Sequence, residues 1–364
     1  MRAIVLTKPA SEHEVIGRLQ NTLDTSIGPP GTENLSLISG FAIVATSDEL
    51  QRFSDAEPVT AIWQIPEEIY NVYVRIIKSL EDLVISSSNA PGVANISLAP
   101  PRQVLSPEFD PAEPIHIATR AAAENNQVVV FAAGNYGPAN NMLNPWSVAP
   151  WVISVGAASK DGTRLADFSS RGIPANPIYR PTVVAPGVDV IGAHVKGVRK
   201  TAKQKEDEKR IGFKKIVPWR RRRWYSVNSG TSFATPEVSR IVLQIIHFLG
   251  KMRESTELAK GGPLPANATF AQIYTHDQNA KRDDRVTTNR LIGKLDVFGS
   301  ASTASYPIAA SPTVVKQIIL DMAIVMPDYQ PHEVGAGFVS RELAEHYFGA
   351  YGIVDPAVTS YKVL

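Results

Sequence analysis

Two short runs, "QVVVFAAG" (127–134) and "WVISVGAAS" (151–159), are apolar at nearly every position instead of alternating. A strand with no polar face must be covered on both sides, so these runs predict a parallel sheet sandwiched between helices. The surrounding chain supplies the cover. "IIKSLEDLVISS" reads as a helix, "VANISLA" as a strand, "PIHIATRAAAENN" as a helix, and "RPTVVAPGVDVIGAHV" continues the sheet. A long helix, "ATPEVSRIVLQIIHFLGKM", begins just after Ser232, and "SPTVVKQIILDMAIVM" reads as another. Residues 259–310, rich in Gly, Pro, Asn, Thr and charge, read as an irregular insertion.

The first seventy residues have a different rhythm. "RAIVLT" predicts a strand, "SEHEVIGRLQNTL" an amphipathic helix, "LSLISGFAIVAT" one long strand, "SDELQRF" a short helix opened by Ser47, and "VTAIWQI" a strand. That is a small α+β unit, with Pro66 and the polar residues after it as the connector. The expected organisation is a unit over 1–70 and an α/β unit over 71–364, the latter interrupted at 195–225 and 259–310.

Composition excludes several classes. No run approaches the roughly 20 apolar residues of a membrane span, and the first residues lack the apolar stretch of a secretory signal. The chain has no cysteine, which rules out disulfides, cysteine zinc sites and thiol nucleophiles and fits a reducing, cytoplasmic location. No loop has the alternating Asp pattern of a calcium site, so neither metal nor cofactor is expected.

The formal net charge of +2 hides a strong segregation: between Lys196 and Arg223 stand thirteen Lys or Arg against three acids. Trp219 and Trp224 bracket Arg220 to Arg223. Three readings of this stretch stay open: a solvated, mobile hairpin or loop, a docking surface for an acidic partner, or a patch for nucleic acid or another anionic surface. The repeated aromatic interleaving that stacks bases is absent, so nothing points to sequence-specific nucleic-acid recognition.

Chemistry concentrates at two places. Ser232 follows Gly230 and Thr231 at the mouth of a predicted helix, whose N-terminal amides favour negative charge, and the small residues there let a peptide backbone approach. The run over Ala132, Ala133 and Gly134 ends in Asn135, whose side-chain amide is placed to donate to a developing oxyanion. Serine nucleophile and amide donor are two halves of an acyl-transfer site.

Both stretches, in this order, resemble the subtilase family of serine proteases. "SGTSFATP" is similar to the family's nucleophile motif and "AAGN" to its oxyanion motif, while "NISLA" is similar to the strand that pairs with substrate. The resemblance implies substrate contacts at Ser97, Leu98 and Ala99, although Ala99 stands where the family usually has Gly. "FSSRG", "VVAPGVDV" and "GAGFVS" are similar to three further family blocks. The resemblance implies a subtilisin-like, mainly parallel sheet with helices on both faces, preceded by a ferredoxin-like α+β unit similar to the family's inhibitory propeptide. "LDTSIGPPGT" holds Asp24 in a near copy of the family's aspartate motif, and Gly31-Thr32 mimics the end of its histidine motif, but the stretch falls inside the propeptide-like unit and reads as a loop.

In the family the aspartate and histidine segments lie between propeptide and substrate strand. Here only residues 70–94 fill that interval, whereas two βα units need roughly 60. A serine hydroxyl needs a base within hydrogen-bond reach. His13 falls in the propeptide-like helix, His116 opens the helix before the Asn135 strand, and His194 ends a strand beside the basic stretch. His247 sits about 20 Å along the helix from Ser232 at about 1.5 Å per residue, and His276, His332 and His346 fall in loops or C-terminal elements. None is paired with an obvious acid. Two expectations follow: a pseudoprotease that binds peptide or a partner protein, or a serine endopeptidase acting through Ser232 and Asn135 whose base and acid come from a partner chain or an unrecognised local residue.

Overall fold

The computed structural model describes residues 2–9, 33–44, 47–54, 59–101, 109–176, 180–195, 198–258 and 311–349. The expected first helix, Asp24, His13, His276 and the 259–310 insertion therefore lie outside the described residues.

The N-terminal unit is an antiparallel sheet of β1 (Arg2–Thr7), β2 (Glu33–Leu35), β3 (Gly40–Val44) and β4 (Val59–Ile65), in the order β2-β3-β1-β4. This is the strand order of a ferredoxin-like split βαβ unit. The central strand β1 buries both faces by its two-residue period. Ala3 and Val5 pack with Phe41, Ile43 and Leu50 of α1 (Ser47–Ser54). Ile4 and Leu6 point the other way, into a larger core. The single strand expected over "LSLISGFAIVAT" is instead a hairpin: Ser36–Ile38 form a 3-10 turn and Ser39 is left-handed at φ 48°. Just after the turn, Gly40 lies so close to β1 that a Cβ would sit 2.5 Å from the Val5 carbonyl.

Residues 67–87 form one helix, α2 (Glu67–Ser87), which leads into a fully parallel sheet in chain order: β5 (Gly92–Ile96), β6 (Gln127–Ala132), β7 (Ile153–Ala158) and β8 (Val183–Pro186). The all-apolar runs are the two central strands, buried at every position. Along β6 the side chains alternate between two cores. Val128 and Val130 meet Val238, Ile241 and Ile245 of α6 (Thr231–Leu258) and Ile318 and Ile319 of α7 (Pro312–Met322). Val129 and Phe131 meet Tyr73 and Ile77 of α2, Ile115 and Ala118 of α3 (Pro114–Glu124), and Trp146. The second core is shared with Ile4, Leu6 and Leu35 of the N-terminal sheet.

The sheet ends at β5. Among the described residues nothing pairs with its outer edge.

Beyond β8, the hairpin of β9 (Val190–Ala193) and β10 (Tyr225–Asn228) carries the basic stretch at its far end, and that stretch is folded. It contains α4 (Ala202–Arg210), with a Thr201/Gln204 capping box, and the single turn α5 (Phe213–Ile216). Phe213 and Val217 are buried against Val227, with Ile191, Ile211 and Tyr225 around them. The C-terminal helix α7 stops at Met322, short of the Met326 expected from sequence. Ile324 is taken instead into a bridge with Phe338, which also bridges Val184. α8 (Pro331–Val334) and α9 (Arg341–Gly349) complete the described chain. No helix among the described residues is long and apolar enough to cross a membrane.

Candidate active site

Parallel strands of one sheet deliver their following loops to the same edge; two such loops, and the turn that leads from the separate β9–β10 ladder into α6, converge at Ser232. The first follows β5 and carries Ser97, Leu98 and Ala99; the second follows β6 and carries Ala133, Gly134 and Asn135; the third joins β10 to α6 and carries Gly230, Thr231 and Ser232. Ser232 is half-buried, and its hydroxyl donates to the Ser97 carbonyl at 3.0 Å. Asn135 is exposed, but its Oδ1 accepts from the Thr231 amide at 2.9 Å and the Thr231 hydroxyl at 3.0 Å. That fixes the amide's orientation, since the oxygen must face the two donors. Its Nδ2 is left without a hydrogen bond among the described residues, on the side of Gly230: a Cβ there would lie 3.6 Å from Nδ2. A free amide donor and a helix N-terminus beside one serine hydroxyl make a place that favours negative charge.

Local chemistry explains this geometry. Gly134 has φ +105°, and a Cβ there would lie 2.7 Å from Ser170 Oγ, so only glycine lets the loop turn at this point. Ser170, fully buried, clamps the same loop: its amide donates to the Gly134 carbonyl at 3.0 Å and its hydroxyl accepts from the Tyr136 amide at 3.1 Å. Gly230 donates its amide to the Gly187 carbonyl at 2.8 Å, and a Cβ on Gly187 would press on Ala157, Gly230 and Ala234. The Ser232 turn thus rests directly on the loop after β8. Pro236, within α6, has no amide to give the Ser232 carbonyl at the i−4 position. Deeper in that helix, Ser239 donates to Asn95 of β5 at 2.9 Å, tying the helix to the edge strand.

Not all the expected residues face the cleft. Ala132 and Ala133 are buried and support it from beneath, and Ala133 donates to Val155 of β7 at 2.9 Å. Leu98 is 50% exposed. Sequence reasoning missed Asn144, which is fully buried and donates to both the Leu98 carbonyl at 2.9 Å and the Ala132 carbonyl at 2.8 Å. This one amide joins the β5 and β6 loops. Ser170 lies inside the "FSSRG" block, with nothing local to mark its clamp on Gly134. Its serine pair and the Asn-Pro at 144–145 were the available signals.

None of the described histidines touches Ser232. His116 is buried with Nδ1 2.7 Å from the Asp110 carbonyl and Nε2 2.9 Å from the Pro145 carbonyl. Beside it, burial pushes the Glu113 carboxyl up from its ordinary range against the opposing influence of His116, and burial also raises the Tyr73 hydroxyl. The cluster belongs to the core under α3. His194 is at the far end of the β9–β10 ladder from Asn228, with Nε2 2.9 Å from the Val198 carbonyl. His247 lies fifteen residues past Ser232 on α6, roughly 22 Å at about 1.5 Å per residue. His332 and His346 are on α8 and α9. No group of three or more potential metal ligands occurs among the described residues. An open cleft of about 790 Å³, lined by Lys160, Asp161, Val325, Tyr329 and Phe338 among others, contains none of the Ser232 loops.

The family model "Subtilase family" matches residues 68–283, more than half of the chain. The chain belongs to the subtilase family. It is 30% identical over 145 residues to "Serine protease AprX" of Bacillus subtilis (strain 168), a match that takes in 38% of this subtilase and 30% of that relative's length. Among solved structures, "Crystal Structure of a Lanthipeptide Protease" aligns at 17% identity and a TM-score of 0.43, over 78% of this chain and 68% of that one. "Structure of Prenylagaramide maturation protease PagA" aligns at 19% identity and 0.39, over 73% and 66%. By the family match and the AprX identity, the subtilase is a homologue of serine proteases with a subtilisin-like α/β fold.

Proposed function

We propose that this subtilase homologue is a pseudoprotease. It binds a peptide or a partner protein along Ser97, Leu98 and Ala99 and against the Ser232 turn, with the N-terminal sheet retained as part of the molecule. The observation that carries the reading is the Ser232 hydroxyl: it donates to the Ser97 carbonyl, and no described imidazole or carboxylate accepts from it. A serine hydroxyl without a base attacks an amide too slowly for a dedicated protease; sites that lose a triad member keep about 10³–10⁴ of rate over water from the oxyanion donors and binding alone. The free Nδ2 of Asn135 and the N-terminus of α6 support retained binding of a peptide carbonyl, the role of an oxyanion hole kept without its nucleophile's activation. The lack of cysteine supports a reducing, cytoplasmic setting.

The test is labelling and turnover together. Purified protein should take up no fluorophosphonate at Ser232 and should release no fragments from a casein substrate. Robust casein hydrolysis that Ser232→Ala abolishes overturns the reading.

One observation favours a second reading, in which a partner chain supplies base and acid. The outer edge of β5 is unpaired among the described residues, and its sequence, "GVANI", has no Lys, Pro or acid to blunt it. A strand added there would run beside Ser97. Fluorophosphonate labelling of Ser232 that appears only in the presence of a co-purifying chain would select this reading.

A further inference from the structure

The basic stretch divides into two parts. In and just before α4 two cations are paired internally, while Lys203, Lys205 and Lys209 are exposed. Arg210 grips Asp189 at 2.5 and 2.6 Å and Asp207 at 2.7 Å, and Lys200 pairs with Glu208 while its ammonium lies over Phe213. In the following lobe, residues 213–224, Arg222 is spent on the Val217 and Lys214 carbonyls. Lys214, Lys215, Arg220, Arg221 and Arg223 are exposed, and among the described residues no carboxylate lies within ion-pair distance of any of them. Trp219 is 72% exposed and Ile216 50%, and the Arg220 guanidinium lies over the Trp219 ring at 5.3 Å. Five unpaired cations and an exposed aromatic on one short segment, held on a small buried core, form a fixed surface whose complement is negative charge with some apolar content.

The helix that precedes the lobe is tied to the serine turn. α4 is stapled to the Ser232 turn by Gln204 Nε2 donating to Asn228 Oδ1 at 2.8 Å, and by Asp189, the partner of Arg210, whose amide donates to Ser229 Oγ at 3.0 Å. The strand β10 runs directly from Trp224 to Asn228, about 13 Å at roughly 3.3 Å per residue. Ser232 is nine positions along the chain from Arg223, so the two sites lie within about 30 Å, the reach of some ten residues of extended peptide.

Building on the reading of the Ser97–Ser232 groove as a peptide site, we propose that the 213–224 lobe is a second recognition surface for the same ligand, and that it takes an acidic segment within about ten residues of the part seated at Ser232. Phosphate backbones and anionic lipids share the charge. The position beside a peptide groove selects polypeptide.

The experiment uses the full chain with Ser232→Ala, so that no acyl chemistry intervenes, and a fluorescein-labelled Glu-Glu-Glu-Leu-Glu-Glu-Glu peptide followed by anisotropy. Arg220→Ala/Arg221→Ala/Arg223→Ala should weaken binding at least tenfold and Trp219→Ala about threefold, with unchanged melting temperatures. Removing Arg75, Arg120 and Lys160 should leave binding as it was. Equal binding of the all-Gln analogue, or an unaffected lobe variant, overturns the assignment. So does tighter binding, through the same residues, of a dT10 oligonucleotide or of phosphatidylserine-containing vesicles. Extending the peptide by a neutral tail with a photoreactive group should give crosslinks to residues 97–99 or 134–136 at spacings up to about ten residues. If the protein with an intact lobe binds the peptide but those crosslinks never form, the groove reading fails and the link between the sites with it; if the protein with an intact lobe gives no anisotropy change, the lobe assignment fails alone.

Discussion

The two walls that meet at Ser232 differ in how far the protein closes them. On the β6 side every strand position is buried, Gly134 is locked by its backbone angle and by Ser170, and Asn135 Oδ1 has two donors from Thr231. On the β5 side the strand is only half-buried, Asn95 is exposed, and the outer edge has no neighbour among the described residues. The wall that fixes the serine and the amide donor is therefore supported by the interior of the sheet. The β5 wall is the margin of the sheet.

The comparison can be broken by substitution. The largest effect belongs to Gly134→Ala, which combines a φ of +105° with a 2.7 Å approach to Ser170 Oγ; it should cost about 2–4 kcal/mol in denaturant unfolding. Next is Asn144→Ala, which strips a buried donor from two carbonyls, one on each wall. A loss of about 2–3 kcal/mol is expected, and a change below about 0.5 kcal/mol would mean that the walls are not joined through it. A third effect is read without mutation. Amides of β5 should exchange with deuterium at least about tenfold faster than those of β6 and β7, a difference of about 1.4 kcal/mol in local opening. Equal protection would mean that something covers the edge after all. The smallest effect is Ser232→Ala, which removes one hydrogen bond at a half-buried site and should change stability by no more than about 1 kcal/mol.

These elements were not equally legible in the sequence. β6 and β7 were, because burial on both faces leaves an unbroken apolar run that no exposed element carries. The turn at Ser232 was marked by small residues before a helix start, and Asn135 by its place after small residues at the end of a buried strand. The hairpin at 33–44 was not: its apolar residues run straight through the turn, and the break shows only in how β3 pairs with the distant strand β1. The C-terminal helix ended early for the same kind of reason, since Ile324 is drawn into pairing with Phe338. Asn144 escaped notice because its role, bridging two carbonyls twelve and forty-six residues away, has no local signature. The order in the basic stretch was also hidden, because Phe213 and Val217 are too few to outweigh thirteen cations in any compositional reading.

Helix α2 has a sheet on each side. Ile69, Tyr73, Ile76, Ile77 and Leu80 are buried in a single core that takes in Ile4, Leu6 and Leu35 from one sheet and Val129 and Phe131 from the other. Arg2 reaches across to Glu67 at 3.0 Å, and Ser36 donates to Glu81. Cutting the chain at the Pro66 connector would therefore not set the first sheet loose. The two pieces would remain a non-covalent pair, and pulling them apart would leave the shared helix greasy and wet along its length.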